Sequence, residues 1–141
     1  MTGITDLAIL LAEMTPSLDE ERYVFLSLEE QSLTLPTIKM SFATIKESEG
    51  WTLIVPVDSA TQSDSAEPAL FQRIELKVNS SLEAVGLTAA VATTLAKENI
   101  SANVVAAYFH DHIFVPEQDA LTALKCLQRL SAQSRNGAFA L

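Results

Sequence analysis

His110, Asp111 and His112 are the densest run of chemically able side chains in the sequence. Imidazole and carboxylate together suit divalent metals. Chelation from alternate residues needs an extended segment, because only there do positions i and i+2 project to one side. The polar triplet between two apolar stretches predicts a tight turn instead, with Asp111 making the turn and the histidines flanking it. The chain has no further histidine, and its one cysteine, Cys126, lies between Lys125 and Leu127 on a predicted helix. No metal site is expected, and a disulfide within the chain is excluded. The histidine pair keeps one other capacity, sensing pH near neutrality.

The remaining reactive groups point away from catalysis. Cys126 as a nucleophile needs a partner base and an electropositive setting, and its place on an amphipathic helix predicts half-buried packing. Glu47 and Glu49 sit on a polar hairpin tip, without the burial that separates the pKa values of a catalytic carboxylate pair. Trp51 beside them reads as core. No serine lies in a nucleophile-elbow pattern and no glycine-rich phosphate loop is present. The chain is expected not to be an enzyme, and no cofactor is called for.

The elements that position these groups follow from periodicity. Leu7, Leu10, Leu11 and Met14 fall at i, i+3, i+4 and i+7, a helical stripe over 6–14 with Asp6 in its first turn. Thr15-Pro16 stops it. Residues 22–28 are rich in β-formers and read as a strand, residues 29–36 as a loop. Strands over 39–46 and 51–57 bracket Glu47-Ser48-Glu49-Gly50, where the glycine supplies the positive φ of a hairpin loop. Residues 58–68 have linker composition, which places a module boundary there: 1–66 and 67–141.

The second module is clearer. From Arg73 to Asn79 polar and apolar residues alternate strictly, as in a strand with one wet face. Ser80 and Glu83 match a capping box, so a helix is expected from there to about Lys97, with an alanine-rich flank and Asn99 as a left-handed C-cap. A strand over 103–109, a return strand over 113–115, a helix opened by Pro116-Glu117 and a short final strand over 138–141 complete β-α-β-β-α-β. The expected fold class is α+β, with antiparallel sheets and helices on one face. The first half reads as α-β-β-β, an incomplete copy, completed by joined sheet edges or by the C-terminal strand.

Composition limits the partners. Of 141 residues, 48% are hydrophobic and 19% charged, enough to build a core. The net charge is −9, of which residues 1–66 carry −8 (3 basic, 11 acidic). An acidic chain without a Lys/Arg cluster is not expected to bind nucleic acid or an anionic membrane. No signal pattern opens the chain and no apolar run approaches the ~20 residues of a membrane helix. A cytoplasmic protein is expected.

The run Val78-Asn79-Ser80-Ser81-Leu82-Glu83-Ala84-Val85-Gly86-Leu87-Thr88-Ala89-Ala90, with Ile100, Asn103 to Ala106 and His110 to Pro116, resembles the ACT-domain superfamily. It is similar in particular to small bacterial proteins of two ACT-like modules. Glu47-Ser48-Glu49-Gly50-Trp51-Thr52 resembles a Glu-x-Glu-Gly-x-Thr signature in their first half. The resemblance implies tandem ferredoxin-like modules that bind an amino acid or small carboxylate at a module or subunit interface, as a homo-oligomer. The implied contacts are Ser80, Ser81, Leu82, Glu83, Ala84, Val85, Gly86 and Leu87 of the loop, with Asn103, Val104 and Val105 of the facing strand. Elementary chemistry favours the same place, since free amides and the positive dipole at a helix start attract a carboxylate. Gly86 would let the backbone come close, and Asn103 offers both a donor and an acceptor. In place of the Pro-Gly turn common in such loops, this chain has Ser80-Ser81. The competing expectation is a ligand-free dimerisation module.

Overall fold

In the computed structural model, which describes residues 6–60 and 68–137, the first stripe forms α1 (Leu7–Glu13). Asp6 is its N-cap rather than a first-turn residue, accepting a hydrogen bond from the Ile9 amide at 3.1 Å. Thr15, at φ 42°, turns the chain into β1 (Pro16–Leu28), which starts six residues earlier than the β-rich run 22–28 indicates. Next comes α2 (Leu35–Met40), where a loop and the start of a strand were expected. Thr34 and Thr37 cap each other reciprocally and Pro36 occupies the first turn, so the local chemistry of a helix start overrides the β-branched composition. The next strand therefore begins later, as β2 (Ala43–Glu47), paired with β3 (Gly50–Pro56).

The second half supplies β4 (Phe71–Leu76), α3 (Leu87–Lys97), β5 (Asn103–Ala106), β6 (Asp111–Pro116) and α4 (Ala120–Arg135). Asn99 is left-handed at φ 57°, as the C-cap reading requires. The expected final strand over 138–141 lies outside the described residues, as does 61–67 of the linker stretch.

The chain packs as two units, whose boundaries fall inside β1 and at Phe71–Gln72. One unit comprises residues 1–20 with 72–141. Its strand order is the opening of β1, then β4, β6 and β5. The backbone bond from the Lys77 amide to the Met14 carbonyl, 2.7 Å, and the Gln72 side chain on the Asp19 carbonyl, 3.2 Å, set the two segments antiparallel. A ferredoxin-like β-α-β-β-α module thus takes its fourth strand from the N-terminal end of the chain. The helices α1, α3 and α4 share one apolar core with the inward residues Ile74, Leu76, Ile113 and Val115. Ser131 and Arg135 of α4 both donate to the Ala12 carbonyl near the end of α1, satisfying an acceptor the helix leaves open.

The other unit, residues 21–71, orders its strands β2-β3-β1. Its core is Val24, Leu53 and Val55, with Leu26, Leu33, Met40 and Trp51 packed against them. The Trp51 indole donates to Glu30 at 2.7 Å, so the ring is partly core and partly tethered. Gly50 has φ 140° at the return of the β2–β3 hairpin, which is the positive φ its position calls for. Both units are antiparallel α+β, as expected.

Candidate functional site

The segment from Asn79 to Gly86 is a loop, not the first turns of a helix. The capping box read from Ser80 and Glu83 does not form. Ser80 is only 7% exposed, and its hydroxyl donates to Asp111 Oδ2 at 3.1 Å instead of accepting from a helix amide. Ser81 closes the loop locally, its Oγ accepting from the Glu83 amide at 3.1 Å. Helix α3 starts at Leu87 because Gly86, at φ 105°, breaks any helix before it. No side chain caps α3, so its first-turn amides keep the anion-attracting character expected of them, six residues further along the chain than the capping box would place it.

The loop residues divide by exposure. Leu82, Glu83 and Val85 face outward, Val85 at 84% exposure, while Ala84 packs on the core and Gly86 lies against the Leu7 side chain. Leu87 is buried. Opposite them, Val104 packs on the same core and Val105 pairs with His112 in the β5–β6 register. Asn103 spends its amide on its neighbour strand, Nδ2 donating to the Phe114 carbonyl at 3.2 Å, which leaves its side-chain oxygen for another partner. Of the expected contacts, Leu87 and Val104 meet at one crevice, with Thr88, Leu76, Val91, Ile113 and Asp111 completing its walls. It encloses about 170 Å³ of empty space including its open mouth, and its depth is too narrow for a water molecule.

Asp111 and His112 do not sit in a turn. The turn is Ala107 to His110, closed by the Ala107 amide on the His110 carbonyl at 3.1 Å, and Asp111 opens β6. Extended geometry then separates the triplet, because neighbouring strand residues point to opposite faces. Asp111 shares the crevice with Ile113, whereas His112 Nδ1 lies 2.9 Å from Arg73 Nη1. Asp111 as a crevice wall was missed; its one sequence signal was a charge on the same strand face as Ile113 and Val115. Among the described residues no three His, Cys, Asp or Glu side chains come together as a metal group. Cys126 is buried in the core, and burial pushes its thiol pKa up, which keeps it protonated and unreactive. Glu47 and Glu49 are exposed and accept from Thr52 and Ser48.

Arg73 ties three strands together. Its guanidinium holds Asp19 of β1 at 3.0 Å and His112 of β6, with Glu75 of its own strand at 3.9 Å; Glu75 also faces His110 at 3.9 Å. Guanidinium has only donors, so His112 Nδ1 must accept and the ring must be neutral. Burial first, then the Arg73 charge, lower the His112 pKa below 6.5. A group depressed in the folded state takes up its proton more readily unfolded, so its contribution is complete above 6.5 and is lost as pH falls through the folded value. Urea midpoints of the wild type should therefore drop between about pH 7.5 and about pH 5.5. His112→Gln, which cannot titrate there, should show a flatter profile; an unchanged slope would remove His112 from the account.

No helix of the described residues is long and apolar enough to cross a membrane. No curated protein matches the chain. Among solved structures, a protein of unknown function from Vibrio cholerae, named as a possible transport protein, is 46% identical over 86% of this chain and 92% of its own, with a TM-score of 0.72. An Agrobacterium tumefaciens protein shares the fold at 15% identity and a TM-score of 0.66, covering 82% of this chain and 87% of its own. The ligand-free regulatory subunit of aspartate kinase from Thermus thermophilus does so at 12% and 0.61, covering 92% and 99%. Family models described as ACT domains match residues 2–71 and residues 73–129. With both halves matched and the ferredoxin-like topology present, the chain belongs to the ACT-domain family.

Proposed function

We propose that this protein is a regulatory module that binds an amino acid or small carboxylate and has no catalytic activity of its own. ACT domains are typically regulatory modules for small molecules, amino acids above all. The observation that carries the reading for this chain is the uncapped start of α3 beside a crevice lined mostly by apolar side chains. Helix amides attract a carboxylate, and the apolar walls suit an aliphatic chain. The contacts are the loop from Ser80 to Leu87 and the facing residues Asn103, Val104 and Val105. The protein acts in the cytoplasm as a homo-oligomer.

A second reading has its own observation. Strand β5 ends the strand order and carries neither charge nor proline, the usual guards of a sheet edge. Tyr108 and Phe109, 65% and 54% exposed, stack edge to face at the adjoining turn. A ligand-free dimerisation module fits those features.

Thermal-shift screening with the twenty common amino acids separates the two. A ligand at about 100 times its Kd stabilises by about 2.7 kcal/mol, or a Tm rise of roughly 5–10 °C for a chain of this size. A dimer in light scattering with no shift for any amino acid favours the dimerisation module and sinks the sensor.

A further inference from the structure

We propose that Arg73, Glu75 and His112 form a pH-operated latch in the unit of residues 1–20 and 72–141: a proton on His112 moves its ring from Arg73 to Glu75 and unties the start of β6 from the opening of β1, with the unit still folded. Nothing in this latch depends on a bound ligand. Arg73 and Glu75 alternate along β4 with Ile74 and Leu76, and His112 precedes Ile113 on β6; those three aliphatic side chains enter the core beneath the helices. Alternation therefore puts the polar trio on the other face of the sheet. There the guanidinium spans three strands, with Nη2 3.0 Å from Asp19 of β1 and Nη1 2.9 Å from His112 Nδ1 of β6. It links β6 to β1, which are not neighbours in the strand order.

The contact with His112 suits a neutral ring alone. An imidazolium carries a hydrogen on both nitrogens, so Nδ1 would point a donor and a positive charge at a guanidinium that has only donors. One of the two side chains must then move. Arg73 has Asp19 to keep it; His112 has Glu75. The Glu75 carboxylate lies 3.9 Å from Arg73 Nη1 and 3.9 Å from His110 Nδ1, inside ion-pair range but beyond hydrogen-bond length. A shorter, charge-assisted bond to an imidazolium can replace either contact. Charge balances in that arrangement. With both rings neutral, two carboxylates, Asp19 and Glu75, face one guanidinium, and a single imidazolium cancels the excess. The strand neighbours of His112 act oppositely, Asp111 favouring the proton and His110, once charged, opposing it. Strand β5, which pairs Val105 with His112, has no titratable side chain. Burial and the Arg73 charge hold the ring neutral at neutral pH, and acidification supplies the proton that exchanges its partner.

The test is NMR of the isotope-labelled protein from about pH 7.5 to about pH 5, following the histidine ring signals, the Arg73 side-chain NH and the backbone amides of residues 111–113. The His112 ring should titrate with a midpoint below 6.5, and the Arg73 signal and those amides should move with it while the spectrum keeps its native dispersion. His112→Gln, whose amide oxygen accepts from Arg73 at any pH, should hold the Arg73 signal still. Glu75→Gln should lower the His112 midpoint by about half a pH unit or more, since the acid-state partner is then uncharged. A spectrum that collapses to the unfolded one as His112 gains its proton overturns the latch, as does a ring that stays neutral down to about pH 5. So does an Arg73 signal that ignores the His112 ring or still moves in His112→Gln, and so does a His112 midpoint unchanged in Glu75→Gln. The titration of the wild type alone reads the first three of these, so the latch stays falsifiable if a variant does not fold.

Discussion

A chain starting at residue 21 should lose the cooperative folding of residues 72–137, although it keeps every element of the β-α-β-β-α module from β4 to α4. Leu10, Leu11 and Met14 are each fully buried in the core that α3, α4, β4 and β6 share. Each such side chain contributes about 1.5–3 kcal/mol on burial, so three together approach the ~5–15 kcal/mol that holds a whole domain. The truncation also strips the strand beside β4, the Asp19–Arg73 ion pair and the Ala12 carbonyl held by Ser131 and Arg135. A bare edge and an open apolar face then remain, the conditions for a collapsed, aggregating state. Far-UV circular dichroism should keep helical signal while the thermal transition broadens and amide NMR dispersion collapses. A sharp transition in the truncated protein would show that α1 and the start of β1 are accessories to this unit rather than parts of it.

That dependence marks the boundary of what local sequence conveys. The leucine stripe of α1 announces a helix with one buried face, yet periodicity is silent about which unit that face joins. The pairing of residues near Asp19 with residues near Gln72 spans more than fifty positions and leaves no local trace. What depends on neighbours in the chain was legible: the alternation of β4, the body of α3 with its left-handed Asn99, and the glycine return of the β2–β3 hairpin. The candidate site was legible only in part, for the same reason. Ser80 and Glu83 carry the residue types of a capping box, but the Ser80 hydroxyl is claimed by Asp111, 31 residues away. Tertiary competition for that hydroxyl turns an expected cap into a crevice wall's partner, while Gly86 at φ 105° sets the helix start at Leu87. The helix α2 was overlooked for a different reason: its capping box uses threonine in both roles, and β-branched residues weigh toward strand in any composition count.

Gly50→Ala should cost about 3 kcal/mol or more, lowering Tm by roughly 6–12 °C, whereas Gly86→Ala should cost about half as much. Both glycines have φ values that L-residues rarely adopt, 140° and 105°, so both substitutions carry backbone strain. They differ in what the new methyl meets. At Gly50 a Cβ would lie 2.4 Å from the Leu28 carbonyl oxygen, a backbone atom fixed by the β1–β3 pairing of Leu28 with Trp51. Relief there requires parting the strands at the end of the hairpin, with loss of ladder hydrogen bonds. At Gly86 the nearest atom is Leu7 Cδ2 at 3.0 Å, the tip of a side chain that can rotate away. Urea denaturation of the two variants reads the difference directly. Equal losses would mean that φ alone sets the cost and that the Leu28 carbonyl moves aside freely; a larger loss at Gly50 shows that the hairpin return is locked by backbone on both sides.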